Sequence, residues 1–206
     1  MSMIIQTNSG TTGSSGTVSF SQNVQAGSSI LVGVVCNENL FTSASVTDSQ
    51  GNTYALVKMS TRLSAGGGFF WTALYAALNA VGGADTITTT FSGTTLGALN
   101  TTVIAEVNGT LAGVDATGTV GVVGNGGDSF PTMSLPVTNA NELVFTFLSV
   151  PACDNGSAPS GYSSFFAPSP TSVYAIAWTQ TPTPGTDTIQ WAEPLLVATS
   201  TFPLAR

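Results

Sequence analysis

Apolar and polar positions alternate along this chain in short blocks. Runs such as Ile30–Val35 and Leu143–Val150 are rich in Val, Ile, Thr and Phe and are bounded by Gly, Asn, Asp, Ser or Pro, the pattern of strands joined by tight turns. It predicts strands at 4–7, 17–21, 29–36, 43–47, 53–60, 69–78, 86–92, 99–107, 116–123, 132–136, 142–150, 173–180, 186–191 and 195–202, with no convincing helix. The stretch 69–78 has the Ala and Leu content of a helix, but Gly66–Gly68 before it and Gly82–Gly83 after it suit a strand between turns. Many short strands without helices imply an all-β fold, read here as a single β-sandwich of jelly-roll type with two mainly antiparallel sheets. Ile30, Val32, Val34, Leu143, Phe145 and Phe147, each at every second position of its run, are expected to form the inter-sheet core.

The strand list carries an internal echo. TVSFSQNVQAGSSILVGVV from Thr17 resembles PTMSLPVTNANELVFTFL from Pro131, and ADTI from Ala84 resembles TDTI from Thr186, in the same order in both halves. Shared strand composition or a true pseudo-repeat accounts for it. The second reading makes residues 1–206 one domain of two facing pseudo-halves, about 1–115 and 116–206. The Gly-rich stretch Gly121–Gly127 is then a loop and not a linker.

Charge changes the picture more than length does. Of 206 residues, three are basic and ten acidic, and there is no histidine. The usual general acid or base is missing, and only Lys58, Arg62 and Arg206 are available to hold a phosphate or an oxyanion. A net charge of −7 argues against nucleic acid as a partner. No apolar run reaches the roughly 20 residues that span a bilayer as a helix, and the start MSMIIQTNSG lacks the basic segment of a secretory signal. These features lead to the expectation of cytoplasmic synthesis without export by that route, and of no membrane partner. With hydrophobic residues at 42% the chain has enough apolar material to fold, and at 6% charged its surface must consist of hydroxyls, amides and backbone.

Candidate chemistry is sparse. Glu106, Asp115, Glu142 and Glu193 are the carboxylates that paired acid catalysis of glycoside hydrolysis would need, and nothing in the sequence pairs them. Glu106 sits in an apolar strand, either as a hydrogen-bonded core acid or as a surface residue. Asp48–Asn52, DSQGN, offers the oxygens and glycine of a calcium loop but lacks the full spacing, and a tight strand connection needs the same residues. Cys36 and Cys153 are too few for a structural zinc site and read as two buried thiols or one disulfide. Trp71, Tyr75, Trp178 and Trp191 lie in predicted strands, where core packing or a glycan-stacking face is open to them, with core packing favoured. No catalytic residue, metal ligand or cofactor is assigned.

VTDSQGNTY from Val46, ADTITTTFSG from Ala84 and VIAEVNG from Val103, with Asp115 shortly after, together resemble a family of Thr/Gly-rich β-sandwich proteins of bacterial surfaces and bacteriophage virions. Val107 departs from the tyrosine of that pattern. The resemblance implies a fold and a setting, not a reaction. With the sparse charge, it leads to the expectation of a non-enzymatic virion protein, most of all a capsid decoration or cement protein. Its partners would be other copies of itself and a major capsid or other virion protein. A carbohydrate- or receptor-binding module of a tail fibre or cell surface is the alternative, and a glycoside hydrolase stands behind both. Ile4 and Ile5 near the start, Phe165 and Phe166 in the Pro/Ser-flanked GYSSFFAPSP segment, and Phe202 and Leu204 in the tail lie outside the repeated pattern. They are the expected contacts with other chains, and removing 202–206 is expected to leave the fold intact.

Overall fold

A computed structural model of the protein describes residues 3–37, 41–60, 63–65, 68–93, 100–109, 111–114, 118–122, 133–151, 157–167, 172–181, 183–189 and 197–205. Among these there is no helix. In the first half the strands are β1 (Ile4–Thr12), β2 (Ser15–Ser19), β3 (Ser29–Asn37), β4 (Ser43–Asp48), β5 (Ala55–Met59), β6 (Leu63–Ala65), β7 (Gly68–Ala77), β8 (Thr86–Ser92) and β9 (Asn100–Val107). In the second they are β10 (Gly113–Val114), β11 (Gly118–Val122), β12 (Met133–Val137), β13 (Glu142–Pro151), β14 (Ser163–Ala167), β15 (Ser172–Thr181), β16 (Gly185–Ile189) and β17 (Val197–Ala205). Segment 69–78 is a strand, as the flanking glycines predict.

The protein is an all-β sandwich with more layers than expected. Its described strands form four sheets instead of two. One large sheet runs β1-β9-β3-β7-β5, with β6 also on β7; the other runs β10-β17-β13-β15-β14, with β11 also on β17. A three-stranded sheet, β2-β8-β4, and a two-stranded ribbon, β12-β16, complete the set, and every described pairing is antiparallel.

The topology carries the echo heard in the sequence. β9, β3, β7 and β5 stand side by side in the order that β17, β13, β15 and β14 repeat, and the β2–β8 pair has its counterpart in β12–β16. Ile87 of ADTI and Ile189 of TDTI are both buried at equivalent places in those pairs.

Two cores explain the sequence pattern. Leu31, Val35, Leu74 and Val103 of one large sheet pack against Leu143, Phe145, Phe147 and Ile176 of the other. The opposite face of the first sheet, with Ile30, Val32, Val34 and Ile104, packs against Val18, Ile87 and Phe91 of the three-stranded sheet. β3 and β9 are therefore buried on both faces, which is why they read as continuous apolar runs. The six expected core residues are all buried, but Ile30, Val32 and Val34 belong to a different core from Leu143, Phe145 and Phe147. Alternation alone could not tell which face of a doubly buried strand meets which partner.

Between the large sheets Gly33 makes a close approach to Phe147. A Cβ there would lie 2.9 Å from Cδ2 of Phe147, whose ring is fully buried. Absence of a side chain at Gly33 is what lets the ring seat between β3 and its neighbours.

Three further differences from the sequence reading concern edges and ends. GYSSFFAPSP contains the edge strand β14, which tolerates flanking proline because one side of it needs no partner. The tail is not an appendage, since β17 lies between β13 and the β10 and β11 strands, with Phe202 opposite Phe145 and Leu204 opposite Leu143. Ile4 opens β1 opposite Val107, and its side chain is in the chain's own core. An isolated molecule thus has its own need to order both segments.

Gly33→Ala is expected to lower unfolding free energy in urea by about 1–3 kcal/mol through overpacking, and Phe147→Leu in the same chain to recover part of it. An unchanged midpoint for Gly33→Ala would show that the sheets are not in close contact there. Phe145→Ala should cost about 3–5 kcal/mol. Contrary to the expectation from sequence, removing residues 202–206 should lower the melting temperature, because β13 loses its pairing from Leu143 to Phe145.

Candidate functional site

The acids are held by the protein's own donors. Glu106 is fully buried, with Oε2 accepting from Gln6 Nε2 at 2.6 Å and Oε1 from the Gln25 amide at 2.7 Å. Gln6 in turn accepts from the Gln22 amide and donates to its carbonyl, so one buried carboxylate pins the β2–β3 connection. Glu142 does the equivalent for β12–β13: its Oε1 accepts from the Asn139 amide at 3.0 Å and from Asn139 Nδ2 at 2.7 Å. Of the two readings left open for Glu106, the structure shows the core acid. Asp115 and Glu193 lie outside the described residues, so of the four candidates only Glu106 and Glu142 are placed, and each serves a different turn.

The structure instead brings together Asp48 and Asp85, a pair that no sequence feature joins. Asp48 ends β4 and folds the following turn around itself. Its Oδ1 accepts from the amides of Gln50 at 3.1 Å and Asn52 at 2.9 Å; its Oδ2 accepts from Asn52 Nδ2 at 2.7 Å and the Tyr54 hydroxyl at 2.8 Å. Gly51 takes the left-handed φ of 79° that closes the turn. With two donors on each oxygen the carboxylate is filled, which supports the turn reading of DSQGN over the calcium reading.

Asp85 is stitched to the same turn. Ser49 Oγ donates to Asp85 Oδ1 at 3.2 Å and accepts from the Thr86 amide at 3.0 Å, while Gln50 Nε2 donates to the Ala84 carbonyl. The segments VTDSQGNTY and ADTI therefore meet in space as one unit.

Burial, then the neighbouring charge of Asp48 and a hydrogen bond shared with it, raise the Asp85 carboxyl to about 6. For Asp48, burial acts upward but is outweighed by the bonds from Asn52 and Tyr54, and the group stays below the usual carboxylate range. The proton of the pair thus rests on Asp85. Burial first, and then the bond to Asp48, push the Tyr54 hydroxyl upward. The second half repeats the device: Tyr162 donates to Asp187 Oδ2, and burial followed by that bond pushes its hydroxyl upward. The arrangement can hold a proton and lock a turn, and all of its strong donors are spent within the fold.

Aromatic side chains follow the core reading. Tyr75 is buried and donates to the Ala44 carbonyl at 2.7 Å, Trp71 packs on the same core 5.4 Å from the Phe41 ring, and Trp178 packs on the core between the large sheets. Trp191 lies outside the described residues, and Trp71, Trp178, Tyr54 and Tyr162 are half-buried. Cys36 is buried in the core under the three-stranded sheet, and Cys153 lies outside the described residues.

Of the expected contact residues, Ile4 is buried, Ile5 half-buried, and Phe165 packs inward on the central core. Phe166, its neighbour in β14, points outward and is exposed, as adjacent residues of a strand must differ. Phe202 and Leu204 are placed by their backbone in β17. Among the described residues, the other large apolar side chains open to solvent are Leu56, Met59, Leu78 and Val81. Sequence reasoning passed over Leu56 and Met59 because they sit within an ordinary-looking strand pattern.

Comparison with family models, curated protein sequences and solved structures returned no match for the chain.

The Asp48–Asp85 pair makes stability depend on pH. Unfolded, Asp85 loses its proton near 3.8; folded, it keeps it to about 6. Between these values the folded state binds more protons, so this group's contribution falls as pH rises from about 4 to 6 and is constant above, by up to about 3 kcal/mol. Asp48 acts oppositely, its contribution being lost as pH falls below the ordinary value. Asp85→Asn, which keeps an acceptor for Ser49 and offers Asp48 a permanent donor, is expected to raise the melting temperature at pH 7 and flatten the slope between pH 4 and 6. A variant less stable at pH 7 with the slope unchanged would show that the proton is not held there.

Proposed function

We propose that the chain is a non-enzymatic structural protein of a virion, a bacteriophage capsid decoration or cement protein that coats a protein lattice as a homo-oligomer. The observation that carries this reading is where the charge goes. Ten acids and three bases serve 206 residues, and Glu106, Glu142, Asp48, Asp85 and Asp187 all have bonds that tie strands and turns together. What faces outward is mostly hydroxyl, amide and backbone, a surface that packs against neighbours without the desolvation cost of buried charges. Core acids serving separate turns fit poorly with glycoside hydrolysis, which needs two facing carboxylates across an open cleft. Half-buried and buried aromatics likewise fit poorly with a stacking platform for sugars.

Mass spectrometry of purified particles should find the chain at a fixed ratio to the lattice protein, and washing the particles with increasing salt should release little of it, since attraction is mainly apolar. Release at moderate salt would show an electrostatic attachment that this composition does not support. A chain absent from particles, monomeric in solution and binding glycans at millimolar concentration would replace the proposal with a binding module.

A further inference from the structure

The three-stranded sheet is one strand too narrow for the sheet it covers. Thr89 of β8 is hydrogen-bonded to Thr102 of β9 at 2.9 Å, and Tyr75 of β7 to the Ala44 carbonyl of β4. The small sheet therefore stops above β7, while the large sheet continues to β5. The inward face of β5 is left uncovered: Leu56 and Met59 are 51% and 37% exposed. Leu56 stands opposite Tyr75 and Met59 opposite Ala73, so both point into the layer that β4 occupies. The result is a groove of about 390 Å³, bounded by Ala44 and Val46 of β4 on one side, with Tyr54, Tyr75, Leu56 and Met59 completing it.

β4 is an edge of a particular kind. It pairs only with β8 among the described strands, and in that register Ser43, Ser45 and Thr47 stand in the same alternate set as Ser49, whose amide bonds the Thr86 carbonyl across the ladder. The backbone groups of Ala44 and Val46 therefore point to the free edge above the groove, where the Ala44 carbonyl also accepts from Tyr75. Natural edges are blunted by lysine, proline or a bulge. β5 has both a bulge at Val57 and Lys58; β4, SASVTD, has none of these devices.

We propose that β4 accepts one extended, uncharged segment of a partner protein as a fourth strand of the small sheet, with apolar side chains at alternate positions covering Leu56 and Met59. The backbone edge supplies the hydrogen bonds and the overhang supplies the pocket, the division of labour of strand addition. No residue lining the groove is charged, so a charged segment would be desolvated without compensation. The slot also selects a lone strand over a folded edge. Two copies of this chain joined antiparallel through β4 would bring both overhanging β5 strands into one layer, where they collide. A single strand buries far less than the roughly 800 Å² per partner of a stable complex, so each contact is weak and gains strength from repetition.

β8 is the strand that β4 already accepts on its other side, so the probe is the synthetic peptide TITTTFS, residues 86–92, with capped ends. Added to the intact protein, it should cause saturable shifts in the resonances of Val46, Leu56 and Met59 and slow amide exchange at Val46. The same peptide with Pro in place of its central Thr should do neither. Leu56→Lys, at a side chain half in water, should keep the melting temperature and lose the response. Shifts that lie elsewhere, that are absent at millimolar peptide or that survive in Leu56→Lys overturn the proposal. So does protection of Val46 that rises with protein concentration without peptide, which would make a second copy the occupant.

Discussion

The structure rests on the contact of two large sheets across Gly33 and Phe147. Bringing them this close requires a glycine under the ring, and it buries the centre of one face of each sheet. Since the first large sheet is also covered on its other face, its central strands have no polar side on which to place ordinary surface residues. They are rich in Val, Ile, Leu and Ala, and Thr102 among them meets the hydroxyl of Thr89 in the covering three-stranded sheet. The chain's high apolar content and low charge fit that layering, because a strand covered on both faces has no face left for charged side chains.

The same layering explains what became of the acids. A carboxylate in a layered β-structure is tolerated where several donors converge on it, and turns supply such donors as backbone amides. Glu106 and Glu142 are fully buried and each receives an amide from the connection that follows a short-sheet strand. Asp48 receives two amides from its own turn. The acids thus sit where a twisted strand crosses from one sheet to the next, and they fix the angle of that crossing. Two of these acids keep an oxygen with no protein donor, Glu142 Oε2 and Asp85 Oδ2. Asp85 is buried and in addition faces the charge of Asp48, and its raised carboxyl is the physical result: a buried acid next to an ionised one keeps its proton.

Much of the fold was legible because β-structure writes its period into the sequence. The predicted 86–92 strand coincides with β8, and 142–150 differs from β13 by a residue. The echo between the halves was legible too, since ADTI and TDTI occupy matching strands. Three short strands escaped: β6 and β10 are too brief to show a period, and β14 is masked by the prolines that flank it. The layer count escaped for a deeper reason. A run apolar at every position says that both faces are covered but not by what, so Val34 and Phe147 could be assigned to one core when they belong to two. The carboxyl pair was illegible because three strands separate Asp48 from Asp85 in the chain, and only the register of β4 on β8, with Asp48 opposite Ile87, sets them side by side.

Low charge and open edges interact. A protein with many surface charges can leave strand edges uncovered, because repulsion and hydration keep other strands away. This chain has few charges to spend, and its lysine sits on the bulged edge strand β5. Two of its strands are covered by geometry. β1, irregular between Ile4 and Gln6, packs beside β2, with Asn8 donating to the Ser19 carbonyl, and β17 is enclosed on both sides. β4 has neither protection. A bare edge above the overhanging apolar residues of the next layer offers an added strand both hydrogen bonds and an apolar pocket. A mutation to lysine or proline on β4 would close it at little cost to the fold.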